Sequence, residues 1–493
     1  MPIITFKHIS CIFPGQYSML ALASFLFIIA TFGSARAQTL NARISVASTA
    51  PARLRIDAHL PEATKSLSFR NAYAGVLGLG ERIESVSGIR DNGSIVSLRN
   101  AGPGEFSAAE PFSRFTYELN LPEPSRPAQM SHVSSLNQER GVLMLADLLP
   151  QSTQASTRFA SAQINLDVPA GWTIASNLKM AGSQYSTDDP ENSVFLIGPA
   201  LHEKHQQLAA TDFAVVTSGK WPFSDNDVSK IAGRILGEYS RITQFNLKCN
   251  AFLMVIPYAG DVGPQSWAAE TRGNVVVLLL GRKASRKRVL AQLSIVLSHE
   301  LFHLWVPNSL KLAGDYDWFF EGFTLYRALR TDLRLGLISF DDYLDTIARV
   351  YDSYRSAPDH DQLSLLDASE RRWTTSSSLV YDKGMLVAFL YDLSLRKVTN
   401  CRESLDDVYA ELFRLPATGQ SNANETIIGI LNRQGELKTL TRDYVENAAP
   451  VNLEPIISAY GIQLQMAAGS TGSKLIPDGN TGNTQKKLLA CLR

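Results

Sequence analysis

Cysteine is scarce. Cys11, Cys249, Cys401 and Cys491 are the whole supply in 493 residues, and no two of them form a C-x-x-C pair. That excludes a dense disulfide framework and a local cysteine zinc cage. One disulfide with a free thiol left over stays open. Charge of one sign is also missing, since 47 Lys+Arg face 47 Asp+Glu. A polyanionic partner such as nucleic acid is not expected. Beyond the first 37 residues no segment runs for 18 uninterrupted apolar residues, so no stable membrane span is expected there. Internal repeats are absent. What remains is a globular composition, 45% apolar and 19% charged. Its length calls for about two to four domains.

The N-terminus reads as a secretory signal over residues 1–37. Lys7 and His8 make a weakly basic start, and Met19 to Phe32 is apolar except for Ser24 and Thr31. Ala35-Arg36-Ala37 supplies an A-x-A cleavage site, with Gln38 as the new first residue. Removal would take away Cys11 and two basic residues, Lys7 and Arg36, leaving a slight acidic excess. A secreted or periplasmic location is expected, and the oligomeric state is left open.

Residues 38–215 predict a β-rich domain. Short alternating runs recur, among them Ala42–Val46, Leu54–Ile56, Phe115–Leu119, Val142–Leu145 and Ile164–Val168, punctuated by Asn, Gly and Pro. From 216 to 335 the pattern changes. An amphipathic helix over Val228–Thr243 precedes two apolar strands, Ala251–Ile256 and Asn274–Leu280, and a long helix from Arg286 to Trp305 stopped by Pro307. Residues 336–450 predict a helical domain that completes the active site, with Ser339 and Ser404 as helix caps before acidic first turns. The remainder, 451–493, is a C-terminal tail, rich in Gly, Ser, Thr and Asn from about 467 and expected to be flexible. The fold class is multidomain α+β; apolar strands followed by the long helix are the order that a thermolysin-like catalytic domain requires.

That helix carries His299-Glu300-Leu301-Phe302-His303. The H-E-x-x-H pattern is expected by chance at roughly 0.01 copies in such a chain. Residues four apart share a helix face, so the two imidazoles can bind one Zn²⁺ while Glu300 reaches a water on the ion. A catalytic zinc needs a third protein ligand and one open position. Glu321, inside Trp318-Phe319-Phe320-Glu321-Gly322, opens a second helix after a Pro- and Gly-bearing turn, with Asp315 or Asp317 available as its cap. Its aromatic neighbours predict that it points inward, towards the histidines.

The segments H-E-L-F-H-L-W (299–305), W-F-F-E-G-F-T-L-Y (318–326) and Y-D-K-G-M-L-V-A (381–388) together resemble the glycyl aminopeptidase family of gluzincin zinc metallopeptidases. They are similar, more distantly, to the aminopeptidase N and leukotriene hydrolase family. The likeness extends through Leu390–Arg396 and Ser404–Val408. It implies a peptide or protein substrate and a single zinc on His299, His303 and Glu321, with Glu300 as general base. It also implies that Tyr381 donates a hydrogen bond to the tetrahedral oxyanion. Family members hold the substrate's α-amine with a Glu just before the strand that precedes the metal helix. Glu270 stands at that place, but the glycines usually before it are missing, which leaves exopeptidase specificity open. The 17 residues between His303 and Glu321 also make a shorter gap than in typical relatives.

Three alternatives therefore stay beside a secreted zinc aminopeptidase. One is an endopeptidase on the same scaffold, one a gluzincin acting on an ester or epoxide, and one a non-catalytic zinc-binding interaction protein. Two other segments carry no site. His202-Glu203-Lys204-His205 spaces its histidines three apart outside any long apolar helix, and the basic run Arg282–Arg288 reads as a solvated turn.

Overall fold

The structure is a computed structural model. It describes residues 38–493 apart from 152–158, 209–210, 248–249, 259–261, 264–265, 283–284, 374–376, 417–420 and 467–471. The expected signal segment and Cys249 lie outside the described residues.

The alternating runs of the N-terminal region become strands with one buried face. In Thr39–Thr49 the buried residues are Leu40, Ala42 and Ile44; in Ala52–Ser68 they include Leu54, Ile56, Ala58 and Leu60. These strands sit in a nine-stranded, largely antiparallel sheet. Its core side packs on a four-stranded sheet made of Ser135–Leu136, Gly141–Met144, Thr173–Ser176 and Val194–Gly198.

A third sheet follows. Its strands are β1 (Leu201–Leu208), β2 (Thr211–Ser218), β3 (Ala251–Pro257), β4 (Trp267–Arg272) and β5 (Val275–Leu280). They lie in the order β1-β2-β3-β5-β4, with β2, β3 and β5 parallel and β4 antiparallel at one edge. The expected boundary at residue 215 thus falls inside β2. His202 and His205 belong to β1, where an odd spacing sends them to opposite faces.

The apolar runs in this sheet are continuous because both faces are covered. Val276, Leu278 and Leu280 pack towards the helices, while Val275, Val277 and Leu279 pack against the four-stranded sheet. That middle sheet is divided the same way: Phe195 and Ile197 face the nine-stranded sheet, and Val194 and Leu196 face β3 and β5. The layers run sheet, sheet, sheet, helices.

The helices include α1 (Asp225–Thr243), α2 (Arg286–Glu300), α3 (Thr324–Arg334), α4 (Phe340–Ser356), α5 (Ser377–Val398), α6 (Leu405–Leu412) and α7 (Asn483–Leu492); further helices, among them Ala423–Leu431, and shorter turns lie between them. Ser339 and Ser404 cap α4 and α6 as expected, each in a reciprocal box with an Asp three residues on. The chain is α+β, with a β-rich N-terminal region and a helical C-terminal part.

The tail departs from expectation. Leu475, Leu488, Leu489 and Leu492 are buried, and Cys491 on α7 forms a disulfide with Cys401 just after α5. Composition hid this, because a few leucines and one cysteine carry the docking among many polar residues.

Candidate metal centre and active site

The metal helix differs from the expected one at its end. α2 stops at Glu300, and Leu301–Leu304 continue as a 3₁₀ turn ahead of Pro307. His303 therefore projects from the tighter turn. The two imidazoles still meet, with ring centroids 4.6 Å apart and planes at 86°. The second element differs too. Trp318–Phe323 forms a π-helical turn that leads into α3, and Glu321 lies within it. Such turns place side chains that a regular helix would aim elsewhere.

These elements bring His299, His303 and Glu321 together, all buried. His299 Nε2 and His303 Nε2 are 3.1 Å apart, and Glu321 Oε2 is 3.2 Å and 3.5 Å from them. A tetrahedral ion with bonds of about 2.0–2.1 Å spans ligand pairs about 3.3–3.4 Å apart, so the triangle has the size zinc requires. Glu321 Oε2 is buried without a hydrogen bond, facing the two rings. His303 Nδ1 lies 2.9 Å from the Val306 carbonyl. Donating there leaves the Nε2 lone pair for a metal. Two histidines, one carboxylate and no fourth protein ligand among the described residues fit a catalytic zinc better than a structural one.

Without an ion the cluster is an ion pair. Burial disfavours the His303 imidazolium, but the adjacent Glu321 carboxylate outweighs it and lifts the pKa to about 9. Burial likewise opposes ionised Glu321, yet His303, His299 and Arg372 hold it well below the usual carboxylate range.

Glu300 is buried beside the cluster. The Thr271 hydroxyl on β4 lies 2.7 Å from Glu300 Oε2 and 3.0 Å from its backbone carbonyl. A hydrogen bond from Thr271 to Oε2 orients the carboxylate and leaves Oε1 for water. Tyr381, in the first turns of α5, faces the same cavity. Burial and the negative charge of Glu321 push its phenol well above the ordinary value, so it keeps its proton. Two glycines make this meeting possible. A Cβ on Gly322 would lie 2.5 Å from Gly384 Cα, so the π turn and α5 touch backbone to backbone.

Glu270 on edge strand β4 lines the cavity as well, which holds about 300 Å³. Tyr73 Oη donates to its Oε1 at 2.5 Å, and His132 Nδ1 contacts Oε2. Burial pushes this carboxyl up, but the contacts from His132 and Tyr73 and the charge of Arg272 bring it below its ordinary value. Asp317 does not cap its helix through its side chain. Its carboxylate receives Arg372 Nη1 at 2.5 Å instead.

Arg372, Thr271, Tyr73 and His132 escaped the sequence reading. Thr271 sits next to Glu270 on β4, and simple alternation would send it to the opposite face, so nothing local marks it as a partner of Glu300. Tyr73 and His132 reach Glu270 from 197 and 138 residues away, without a local pattern.

Residues 292–387 match the M61 glycyl aminopeptidase family model. The matched segment holds His299, Glu300, His303, Glu321, Arg372 and Tyr381, and leaves out Glu270. No curated protein matches significantly. Among solved structures, the chain is similar to an aminopeptidase N family protein from Idiomarina loihiensis. The TM-score is 0.76 at 17% identity, over 90% of this chain and 82% of that one. It is also similar to an M1 zinc metallopeptidase from Deinococcus radiodurans, with TM-score 0.53 and 14% identity over 85% of this chain and 95% of that one. A mutant of the latter bound to a Tyr-Ser-Ala substrate gives 0.52 at 13% identity, with the same coverage. At these identities the structural likeness is one of fold. Family match and neighbours together support a metallopeptidase.

Proposed function

We propose that this protein is a zinc aminopeptidase that hydrolyses peptide bonds at free N-termini, on a thermolysin-like catalytic region. The carrying observation is the buried triangle of His299 Nε2, His303 Nε2 and Glu321 Oε2, sized for one tetrahedral ion. When bound, zinc supplies Lewis acidity and an acidified water. Glu300, oriented by Thr271, takes the water's proton through its free oxygen and hands it to the leaving amine. Tyr381 donates its phenolic proton in a hydrogen bond to the oxygen where charge builds, a contribution of about 3 kcal/mol where such donors are preorganised. Glu270 stands on the sheet edge in the same cavity, in reach of a substrate ammonium. Each of its oxygens has a second lone pair beyond Tyr73 and His132.

Export to an oxidising compartment is part of the same reading. The 1–37 signal pattern supports it, and so does the Cys401–Cys491 disulfide, since such bonds persist mainly outside the cytosol.

The test is peptide hydrolysis before and after chelation, with zinc add-back, beside Glu300→Gln. Chelation should abolish activity and zinc restore it. The Gln variant should bind zinc normally and lose about 10²–10⁴-fold in kcat. Hydrolysis that survives both treatments would defeat the proposal.

A further inference from the structure

Arg372 stands between the metal cluster and Tyr381. Its Nη2 donates to Glu321 Oε1 at 2.8 Å and to Tyr381 Oη at 2.7 Å, while Nη1 donates to Asp317 Oδ1 at 2.5 Å. The side chain is only 11% exposed. Its guanidinium carbon lies 4.4 Å from the centroid of the Trp373 ring and 5.5 Å from that of Tyr381. Asp317 and the aromatic rings thus fix the plane of the fork, and Nη2 serves two groups at once.

Each of those two bonds removes a freedom. Glu321 could ligate through either oxygen or both. With Oε1 occupied by Arg372, only Oε2 faces the histidines. Tyr381 Oη could accept or donate. A guanidinium has donors only, so Tyr381 must accept from it and aim its own hydrogen elsewhere. The cavity that Tyr381 lines is the open direction.

We propose that Arg372 is a positioning residue that selects the ligating oxygen of Glu321 and turns the Tyr381 hydroxyl into an obligate donor towards the substrate. This rests on the zinc-peptidase reading above. A lysine cannot replace it, because a single ammonium lacks the planar fork that spans Asp317, Glu321 and Tyr381.

The experiment uses the full chain and its Arg372→Gln, Arg372→Lys, Tyr381→Phe and Arg372→Gln/Tyr381→Phe variants. Zn²⁺ affinity is read by competition with a chelating dye, and kcat and KM are read at saturating zinc. Arg372→Gln should weaken zinc binding about 10–100-fold, as loss of a partner behind a metal ligand does. With zinc restored it should still lower kcat about tenfold or more, with KM little changed. Arg372→Lys should recover part of the zinc affinity and none of the kcat. In the Tyr381→Phe background, Arg372→Gln should weaken zinc binding by the same factor without a further loss of kcat. Unchanged zinc affinity in Arg372→Gln overturns the Glu321 half. Losses of kcat that multiply in the double variant overturn the Tyr381 half. Should Arg372→Gln fail to fold by circular dichroism, Arg372→Lys decides both halves on the same readouts. A parent protein that binds no zinc sinks the function itself; a zinc-binding, active parent with an unaffected Arg372→Gln sinks this inference alone.

Discussion

In the proposed function, Glu270 is the residue that separates an aminopeptidase from an endopeptidase. A charged hydrogen bond to a substrate amine is worth about 1.5–3 kcal/mol, or roughly 10–100-fold. Glu270→Ala should lower kcat/KM by that factor on free-amine peptides and much less on N-blocked ones. Equal losses on both would remove Glu270 from amine recognition and favour the endopeptidase. His303 gives a second residue-scale expectation. In the metal-free protein its pKa is lifted from the ordinary 6.5 to about 9. The stabilisation it brings is complete below the unfolded value and is lost as pH rises through about 9. The Tm of chelated protein should therefore fall between about pH 6.5 and 9 relative to His303→Gln. Identical pH profiles for the two would contradict the ion pair. Zinc must displace the same proton, so its affinity should weaken as pH drops below about 9.

At the scale of elements, the glycines of E-G and Y-x-K-G set the site's dimensions. A methyl on Gly384 would sit 2.9 Å from both Gly322 Cα and the Trp318 carbonyl. Backbone cannot yield as a flexible side chain can. Gly384→Ala should cost about 1–3 kcal/mol or more and part Glu321 from Tyr381, lowering kcat beyond what the stability loss explains. Gly429→Ala, in a helix where nothing lies within 4 Å of the new methyl, is the control and should stabilise by about 0.5–1 kcal/mol. Equal activity in the two variants would remove the crossing from the mechanism. The downstream motif residues act as braces. Asp392 receives Tyr326 Oη at 2.8 Å, Arg396 Nε at 3.0 Å and the Leu405 amide at 2.8 Å, tying α3, α5 and the start of α6 together.

Across the whole molecule, the site draws on the β-rich region directly and on the last described helix through the helices that carry it. Tyr73 and His132 reach Glu270 from the β-rich region. At the other end the α7 carbonyls of Leu492 and Cys491 accept from Arg330 on α3 and Arg396 on α5, the helices that continue from Glu321 and Tyr381. The Cys401–Cys491 disulfide locks α7 there. Reduction, or Cys401→Ser with Cys491→Ser, should cost about 2–4 kcal/mol, read as a lower urea midpoint that reductant no longer shifts in the variant. A parent whose midpoint ignores reductant would show that the bond adds nothing.

The residues with local signatures were legible along the chain. H-E-x-x-H is five residues on one helical turn, Glu321 follows within one loop, and the strands announce themselves by alternation. Helix caps at Ser339 and Ser404 were equally readable, because a cap and its partner lie three residues apart. Arg372, Thr271, Tyr73 and His132 were not, because a lone arginine, threonine, tyrosine or histidine has the same appearance on any surface. The π turn and the 3₁₀ end of the metal helix were also hidden, since small changes of helical pitch follow from packing and not from residue type. The chain's order of residues thus determined what chemistry is present: two imidazoles, three carboxylates and a phenol. Only tertiary packing decided which atoms of those groups face one another, because that depends on backbone contacts such as Gly322 against Gly384 and on partners up to 197 residues away.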